Sequence, residues 1–348
     1  MFRIFFILFF VVSSLVAQQK FSVPLKEKGQ EEKDGLVHWF TFKEAQEFNK
    51  TNPKPFLIDV YTDWCGWCKH MIKTTYSDPG LANYINAYFY AIKFDAETKD
   101  TIEYNGEKFW NTGKGPKSPH QLAIKFLNGQ LSYPSTIFVS NNFQFNLLSQ
   151  GYLDVRKIEP LLIFTVENVF RTTAYEEFAN YFNKTFIDTS GLSYPVKTYS
   201  IKEALELQKK NPKKILIDIY TNFCNSCKVM NKTTFQDSAL ARYINENYYL
   251  VDFNAEQKGE IEFKGKNYVF GSEPNFPFHP LTIPLTRRNI ILPSVCVLDE
   301  SLEIIDVLTF YVSPKKLDPI LVYFAGNYFK TIPWPDFQKK WLEGSIKK

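Results

Sequence analysis

Phe56-Leu57-Ile58-Asp59-Val60-Tyr61-Thr62-Asp63-Trp64-Cys65-Gly66-Trp67-Cys68-Lys69 is the stretch that decides how this chain is read. Its first six residues have the length and apolar character of a buried strand, and the run ends at a Cys-Xaa-Xaa-Cys pair. A helix is expected to start at the pair and run through Lys69-His70-Met71. The pattern returns as Ile215-Leu216-Ile217-Asp218-Ile219-Tyr220 ahead of Cys224-Asn225-Ser226-Cys227. Cysteine pairs at strand-to-helix junctions can cycle between dithiol and disulfide.

The two halves align at a constant offset of 159 residues, the distance from Cys65 to Cys224. Asp59 meets Asp218, His120 meets His279 and Pro134 meets Pro293, with no gap from Leu36 to Trp341. A period this long marks one globular unit duplicated rather than a solenoid of short repeats. The expected units are 36–186 and 195–348, joined by a linker over 187–194 with Ser190-Gly191 as its flexible point. At about 150 residues, each is long enough to bury a core of its own.

Composition narrows the function classes. The chain is 45% hydrophobic with 33 Phe and 20 Tyr, so aromatic packing should dominate the cores. A net charge of +4 with no Lys/Arg cluster on one element does not point to nucleic acid. Met1-Phe2-Arg3, the apolar run Ile4 to Val12 and the small-residue exit Ser13 to Ala17 read as a secretory signal, cleaved after Ala17. The alternative is a membrane anchor, but the run is shorter than the about 20 residues of a comfortable span. Residues 18–35 read as a charged spacer. The mature protein is therefore expected to be exported, to a bacterial periplasm, with no stable membrane insertion. It has only five cysteines, four of them in the pairs, which is too few for a disulfide-stapled scaffold.

Each unit should open with a capped helix, since Thr41-Phe42-Lys43-Glu44 and Ser200-Ile201-Lys202-Glu203 match the capping box. Asn52-Pro53 and Asn211-Pro212 end those helices. After the strand and the Cys-Xaa-Xaa-Cys helix come a short helix (Pro79 to Ala87, Ser238 to Asn247) and a strand (Tyr88 to Asp95, Tyr248 to Asn254). Polar insertions follow, Glu97 to Lys117 and Glu256 to Phe276, with hairpin turns at Gly106 and Gly265. A helix from Pro119 to Phe126 has a counterpart at His279 to Thr286 that Pro280 and Pro284 should shorten. Pro134 and Pro293 open a buried strand, and the last helix starts at Asp154 or at Ser313-Pro314. Asn183 to Ser193 joins the units. The order implies an α/β fold in each unit, a mixed sheet with helices on both faces.

Cys65-Gly66-Trp67-Cys68 with an acid six residues earlier, together with Tyr133-Pro134-Ser135-Thr136, resembles the thioredoxin signature and its cis-proline loop. The resemblance covers nearly the whole mature chain, twice, and is to exported thioredoxin-like proteins similar to the C-terminal domain of the bacterial transmembrane disulfide reductase. It implies two tandem thioredoxin-fold domains. The chain departs from plain thioredoxin in its longer insertions, and its second pair lacks both tryptophans.

The expected chemistry is dithiol–disulfide exchange. Cys65 sits at a helix N-terminus, where unsatisfied N–H groups favour the thiolate, and would attack a substrate disulfide. Cys68 would displace the substrate and close the pair; Cys224 and Cys227 would do the same in the second unit. A structural disulfide or a zinc pair is the alternative, but a zinc ribbon places its two pairs about 15–20 residues apart. The resemblance implies that Asp59 and Asp218, if buried, carry elevated pKa values and relay a proton to the second cysteine; a solvent-facing strand residue is the bland alternative. It also implies cis bonds before Pro134 and Pro293, so that the backbone of Tyr133, with Leu292 as its counterpart, pairs with an extended substrate. The alternative is an ordinary trans proline opening a strand. Trp64 and Trp67 flank the nucleophile as an apolar docking surface, unless Trp64 is core. His120 and His279 could stabilise a thiolate or simply cap helices. His38 and His70 read as surface residues and Cys296 as a buried, inert thiol. No cofactor or metal beyond the cysteine pairs is expected. The implied partners are protein disulfide substrates and a membrane disulfide reductase as electron donor. Two other readings stand beside the enzyme: a thioredoxin-fold binding module in which one or both pairs do not turn over, and metal carriage by the pairs.

Overall fold

A computed structural model of the chain describes residues 34–187, 196–346 and 348. The leader, nearly all of the spacer and all but the first residue of the linker expected from the sequence lie outside them.

The first unit contains β1 (Trp39–Phe40), α1 (Phe42–Thr51), β2 (Phe56–Tyr61), α2 (Gly66–Thr74), α3 (Pro79–Tyr88), β3 (Tyr90–Asp95), β4 (Ile102–Tyr104), β5 (Glu107–Phe109), α4 (Gln121–Phe126), β6 (Ser135–Val139), β7 (Asn146–Gln150), α5 (Val155–Val166) and α6 (Tyr175–Phe186). The second repeats it as β8 (Thr198–Tyr199), α7 (Ile201–Lys210), β9 (Lys214–Tyr220), α8 (Asn225–Val229), α9 (Ser238–Asn247), β10 (Tyr248–Asn254), β11 (Glu260–Phe263), β12 (Lys266–Val269), α10 (Thr282–Leu285), β13 (Ser294–Leu298), β14 (Ile304–Thr309), α11 (Pro314–Ala325) and α12 (Trp334–Leu342). The sheets run β1-β3-β2-β6-β7 and β14-β13-β9-β10-β8. In each, four strands run in one direction and the fifth, β6 or β13, runs antiparallel between two of them. This is the mixed, doubly covered sheet of a thioredoxin fold, built twice.

Strand alternation assigns the faces of β2. Phe56, Ile58 and Val60 pack with α1 and α4, whereas Leu57 packs with Met71 and Ile72 of α2, Leu81 and Ile85 of α3, and Leu161 and Leu162 of α5. Asp59 shares the face of Leu57. Both capping boxes form, with Glu44 N–H donating to Thr41 Oγ1 and Glu203 N–H to Ser200 Oγ, each at 3.2 Å. Such a cap contributes about 1 kcal/mol. The insertions are hairpins whose turns need two residues with positive φ, supplied by Asn105-Gly106 and Lys264-Gly265.

Several local expectations shift. Tyr88 ends α3, so its strand starts at Tyr90, and α4 starts at Gln121 because His120 is its N-cap. The proline-bearing counterpart of α4 shrinks to Thr282–Leu285. Asp154 caps α5 as expected, but Ser313 makes no side-chain cap bond to α11; nothing in the structure explains that difference. The larger change lies in the joining segment, whose residues Asn183 to Phe186 are helical and end α6.

α6 matters because it ties the units together. Phe178 and Phe182 of α6 and Ile163 and Phe164 of α5 share one apolar cluster with Val229, Met230, Phe235 and Tyr311 of the second unit. Phe178 meets Tyr311 edge to face at 5.4 Å. Fully burying each phenylalanine contributes about 1.5–3 kcal/mol.

Candidate functional site

Cys65 is the N-cap of α2, and its Sγ accepts from the Cys68 N–H at 3.1 Å. Cys224 caps α8 in the same way, with Cys227 N–H at 3.2 Å. Both pairs are closed disulfides, and all four sulfurs belong to residues that are nearly buried.

Their surroundings differ. In the first unit Trp64 and Trp67 are 55% and 61% exposed. Trp64 lies edge-on to Tyr133 at 5.9 Å, donates its indole N–H to Glu97 at 2.9 Å and sits under the Lys117 ammonium. Trp67 rests on Tyr152 and His70, with centroids 5.6 and 5.5 Å away. Trp64 is thus a surface residue, not core. Glu97 and Lys117 are the two ends of the insertion, which thereby frames the pair. Tyr152 and the insertion ends carry no motif of their own, so sequence reading did not bring them to the site.

In the second unit Phe223 is 60% exposed and stacks on Phe278, but Ser226, where the first unit has Trp67, is 0% exposed. The cover is Glu167, the residue that ends α5. Its Oε1 accepts from the Asn225 N–H at 3.0 Å, its Oε2 accepts from the Ser226 N–H at 2.7 Å, and Oε2 lies 3.8 Å from Cys224 Sγ. Burial raises the Glu167 pKa, while the Ser226 and Asn225 donors and Lys228 hold it back. Sequence reading missed this residue. The signal available was a break in the repeat, since the position equivalent to Glu167 is Gly326.

The acids under the pairs are both buried. Loss of water pushes Asp59 up to about 7, against the Tyr76 hydroxyl donating at 3.2 Å and the nearby Lys93 ammonium. Asp218 is pushed up to about 8, first by burial and then by the Asp252 carboxylate, with an Asn231 hydrogen bond opposing. Phe235 and Asp252 stand where the first unit has Tyr76 and Lys93, so the tyrosine hydrogen bond gives way to that of Asn231 and one neighbouring charge is inverted.

The bonds Tyr133–Pro134 and Leu292–Pro293 are cis. Tyr133 stands beside the first pair through Trp64; Leu292 packs against the apolar core of its own unit. His120 and His279 do not approach the thiols. Each accepts a backbone N–H through Nδ1, from Leu122 at 3.1 Å and Leu281 at 3.3 Å, and burial lowers both pKa values. His70 is exposed, while His38 is half-buried against Phe40. Cys296 is buried in β13 and its thiol is pushed up to about 12. Among the described residues no group of three or more His, Cys, Asp or Glu is placed to hold a metal ion, and no helix is long and apolar enough to cross a membrane.

A family model covering residues 28–158 and 189–289 matches this chain. The chain belongs to the Thioredox_DsbH family. That family is described as a protein of unknown function, DUF255. A curated relative, the thiol:disulfide interchange protein DsbD of Pectobacterium atrosepticum, is 43% identical over 35 residues, which are 10% of this chain and 6% of that protein. Among solved structures, the oxidised C-terminal domain of Neisseria meningitidis DsbD is 20% identical, covering 37% of this chain and 99% of that one, with a TM-score of 0.27. A putative disulphide-isomerase from Bacteroides thetaiotaomicron is 23% identical over 38% of this chain and 95% of its own, with a TM-score of 0.28. The strand order, not these scores, carries the fold. The chain is thioredoxin-like, resembles the C-terminal domain of DsbD, and sets two close cysteine pairs in a thiol–disulfide oxidoreductase-like fold.

Proposed function

We propose that the protein is an exported thiol–disulfide oxidoreductase that reduces or isomerises protein disulfides through Cys65 and Cys68. The observation that carries this reading is the first pair's setting: a helix-capping cysteine on an open face, rimmed by exposed Trp64 and Trp67, above a buried acid pushed up to about 7. A cleft of about 850 Å³ beside α1 and the β4–β5 hairpin has no cysteine in its lining. The nearly buried Cys65 is bordered by exposed indoles rather than by that cleft, which fits a macromolecular substrate better than a small one.

In the reaction the Cys65 thiolate attacks one substrate sulfur, the substrate S–S bond breaks, and a substrate thiolate leaves and takes a proton. Cys68, deprotonated with Asp59 as the base, attacks Cys65 Sγ and releases the second substrate thiol. The substrate gains two electrons and two protons, and the protein is left as the Cys65–Cys68 disulfide. An external dithiol must restore it; a membrane disulfide reductase is the donor class that the resemblance implies. Trp64, Trp67 and Tyr133 would hold the substrate, with the Pro134 loop beside them. Cleavage after Ala17 and a periplasmic location belong to this reading.

The binding-module reading is favoured for the second unit by one observation, the Glu167 carboxylate seated on the Cys224–Cys227 turn. A site-resolved titration in graded glutathione buffers, read peptide by peptide after alkylation, tests both. Reversible titration of Cys65 and Cys68 supports the enzyme; a first pair that never cycles overturns it.

A further inference from the structure

Two duplicated pairs on the same fold should behave alike, yet one carries a carboxylate that belongs to the other unit. Glu167 ends α5, and its two oxygens take the N–H groups of Asn225 and Ser226. The equivalent amides of Gly66 and Trp67 face no acceptor among the described residues. The same Oε2 stands 3.8 Å from Cys224 Sγ, and the Ser226 hydroxyl also approaches that sulfur, at 3.7 Å. We propose that Glu167 is a positioning residue that sets the reactivity of the second pair, disfavouring the Cys224 thiolate and shielding the pair from large substrates.

Three physical effects act in the same direction. A carboxylate beside a sulfur repels a thiolate and accepts the hydrogen of a thiol. Two of the amides that would otherwise stabilise a thiolate at the start of the helix, those of Asn225 and Ser226, are already taken, which leaves the Cys227 N–H to the sulfur. The residue between the cysteines is covered by α5 and α6, whereas Trp67 projects into solvent. Lys228 on α8 is the cation that holds the Glu167 charge in place, and the Tyr84 phenol on α3 faces it from the first unit. The small side chains Asn225 and Ser226 are then a fitted pair, because an indole at position 226 would meet the first unit's helices. When the second disulfide is reduced, two electrons and two protons come from an external dithiol, which leaves as a disulfide. Glu167 makes that exchange slower at Cys224 than at Cys65.

The inference depends on the proposed redox function only for its biological consequence; the thiol chemistry can be read without turnover. The full mature chain is reduced with excess dithiothreitol, freed of it, pulsed with iodoacetamide across a pH series, and read at Cys65 and Cys224 by peptide mass spectrometry. In the wild type, the Cys224 profile should lie at higher pH than that of Cys65. Glu167→Gln should move the Cys224 profile down and raise its rate near neutrality about tenfold, the effect of roughly one pH unit on the thiolate fraction. Cys65 is the internal reference and should not move. An unshifted Cys224 profile in folded E167Q overturns the inference, as does a rate that rises equally at every pH, which would mean a steric cover only. Should E167Q fail to fold, the wild-type order decides: a Cys224 profile at or below that of Cys65 overturns it. Failure of Cys65 and Cys68 to cycle in glutathione buffers would sink the proposed function and leave this result standing.

Discussion

The two Cys-Xaa-Xaa-Cys turns have the same backbone, the same capping sulfur and the same buried acid, and they differ in what lies on top. The first is bordered by exposed indoles and by the ends of its own insertion. The second is pressed against α5 and α6 of the preceding unit, with a carboxylate on its amides. Duplication copies an element and its cap, but the neighbours of each copy depend on what precedes it along the chain. The second unit has a helical pair before it; in the first, Trp67 rests on Tyr152 and His70 of its own unit and stays exposed.

The sharpest way to break this comparison is to remove one nucleophile at a time. Cys65→Ser should abolish reduction of a protein disulfide, a loss of at least about a thousandfold of the kind seen when a covalent nucleophile is removed, while Cys224→Ser should leave most of the turnover. Equal losses in an insulin-reduction assay would mean that the two faces are equivalent after all.

Next in size is the seam between the units. Phe178→Ala empties a buried site shared by α6 and Tyr311 and should cost about 3–5 kcal/mol in denaturant unfolding. It should also raise alkylation at Cys224 and spare Cys65. A small stability loss with no change at Cys224 would show that the seam does not protect the second pair.

The buried acids sharpen the comparison through pH. Between an ordinary carboxylate pKa and the values of about 7 for Asp59 and about 8 for Asp218, the folded protein keeps a proton that the unfolded chain has released. Stability is therefore highest at the acid end of that window, falls as pH rises through it and levels off above. Asp59→Asn and Asp218→Asn should each flatten the fall, recovering up to a few kcal/mol at about pH 9 relative to about pH 4. The recovery should be larger at Asp218, where Asp252 adds to the burial. Thermal melts across pH read it directly, and a larger effect at Asp59 would contradict the role given to Lys93 and Asp252.

The smallest effect concerns the docking rim. Trp67→Ala should raise the apparent KM for an unfolded protein substrate by up to about tenfold, the size of one aromatic anchor. The loss should be greater than with a small disulfide; equal losses would place Trp67 in packing rather than in recognition.

Much of this was legible in the residues alone. The alternation of β2, the capping boxes at Thr41 and Ser200, the turns at Gly106 and Gly265 and the acid six residues before each first cysteine are short-range patterns whose meaning is local. The prolines before β6 and β13 and the buried thiol of Cys296 were legible for the same reason. Glu167 was not, because a lone glutamate at the end of a helix looks like any solvated residue until the fold brings it to an amide about sixty positions away. The helical character of Asn183 to Phe186 was hidden behind a polar stretch, which continues a helix whose Phe178 and Phe182 are held by the other unit.

By itself, then, the sequence determined two copies of a mixed sheet, each with a cysteine pair at the start of a helix and an acid on the strand beneath, because period-two burial, capping and turn chemistry act between near neighbours. Only the tertiary structure decided that the copies are unequal. Burial of an acid, the sign of the charge beside it and the carboxylate laid across a helix start are set by residues distant in the chain, and electrostatic and packing energies depend on distance in space.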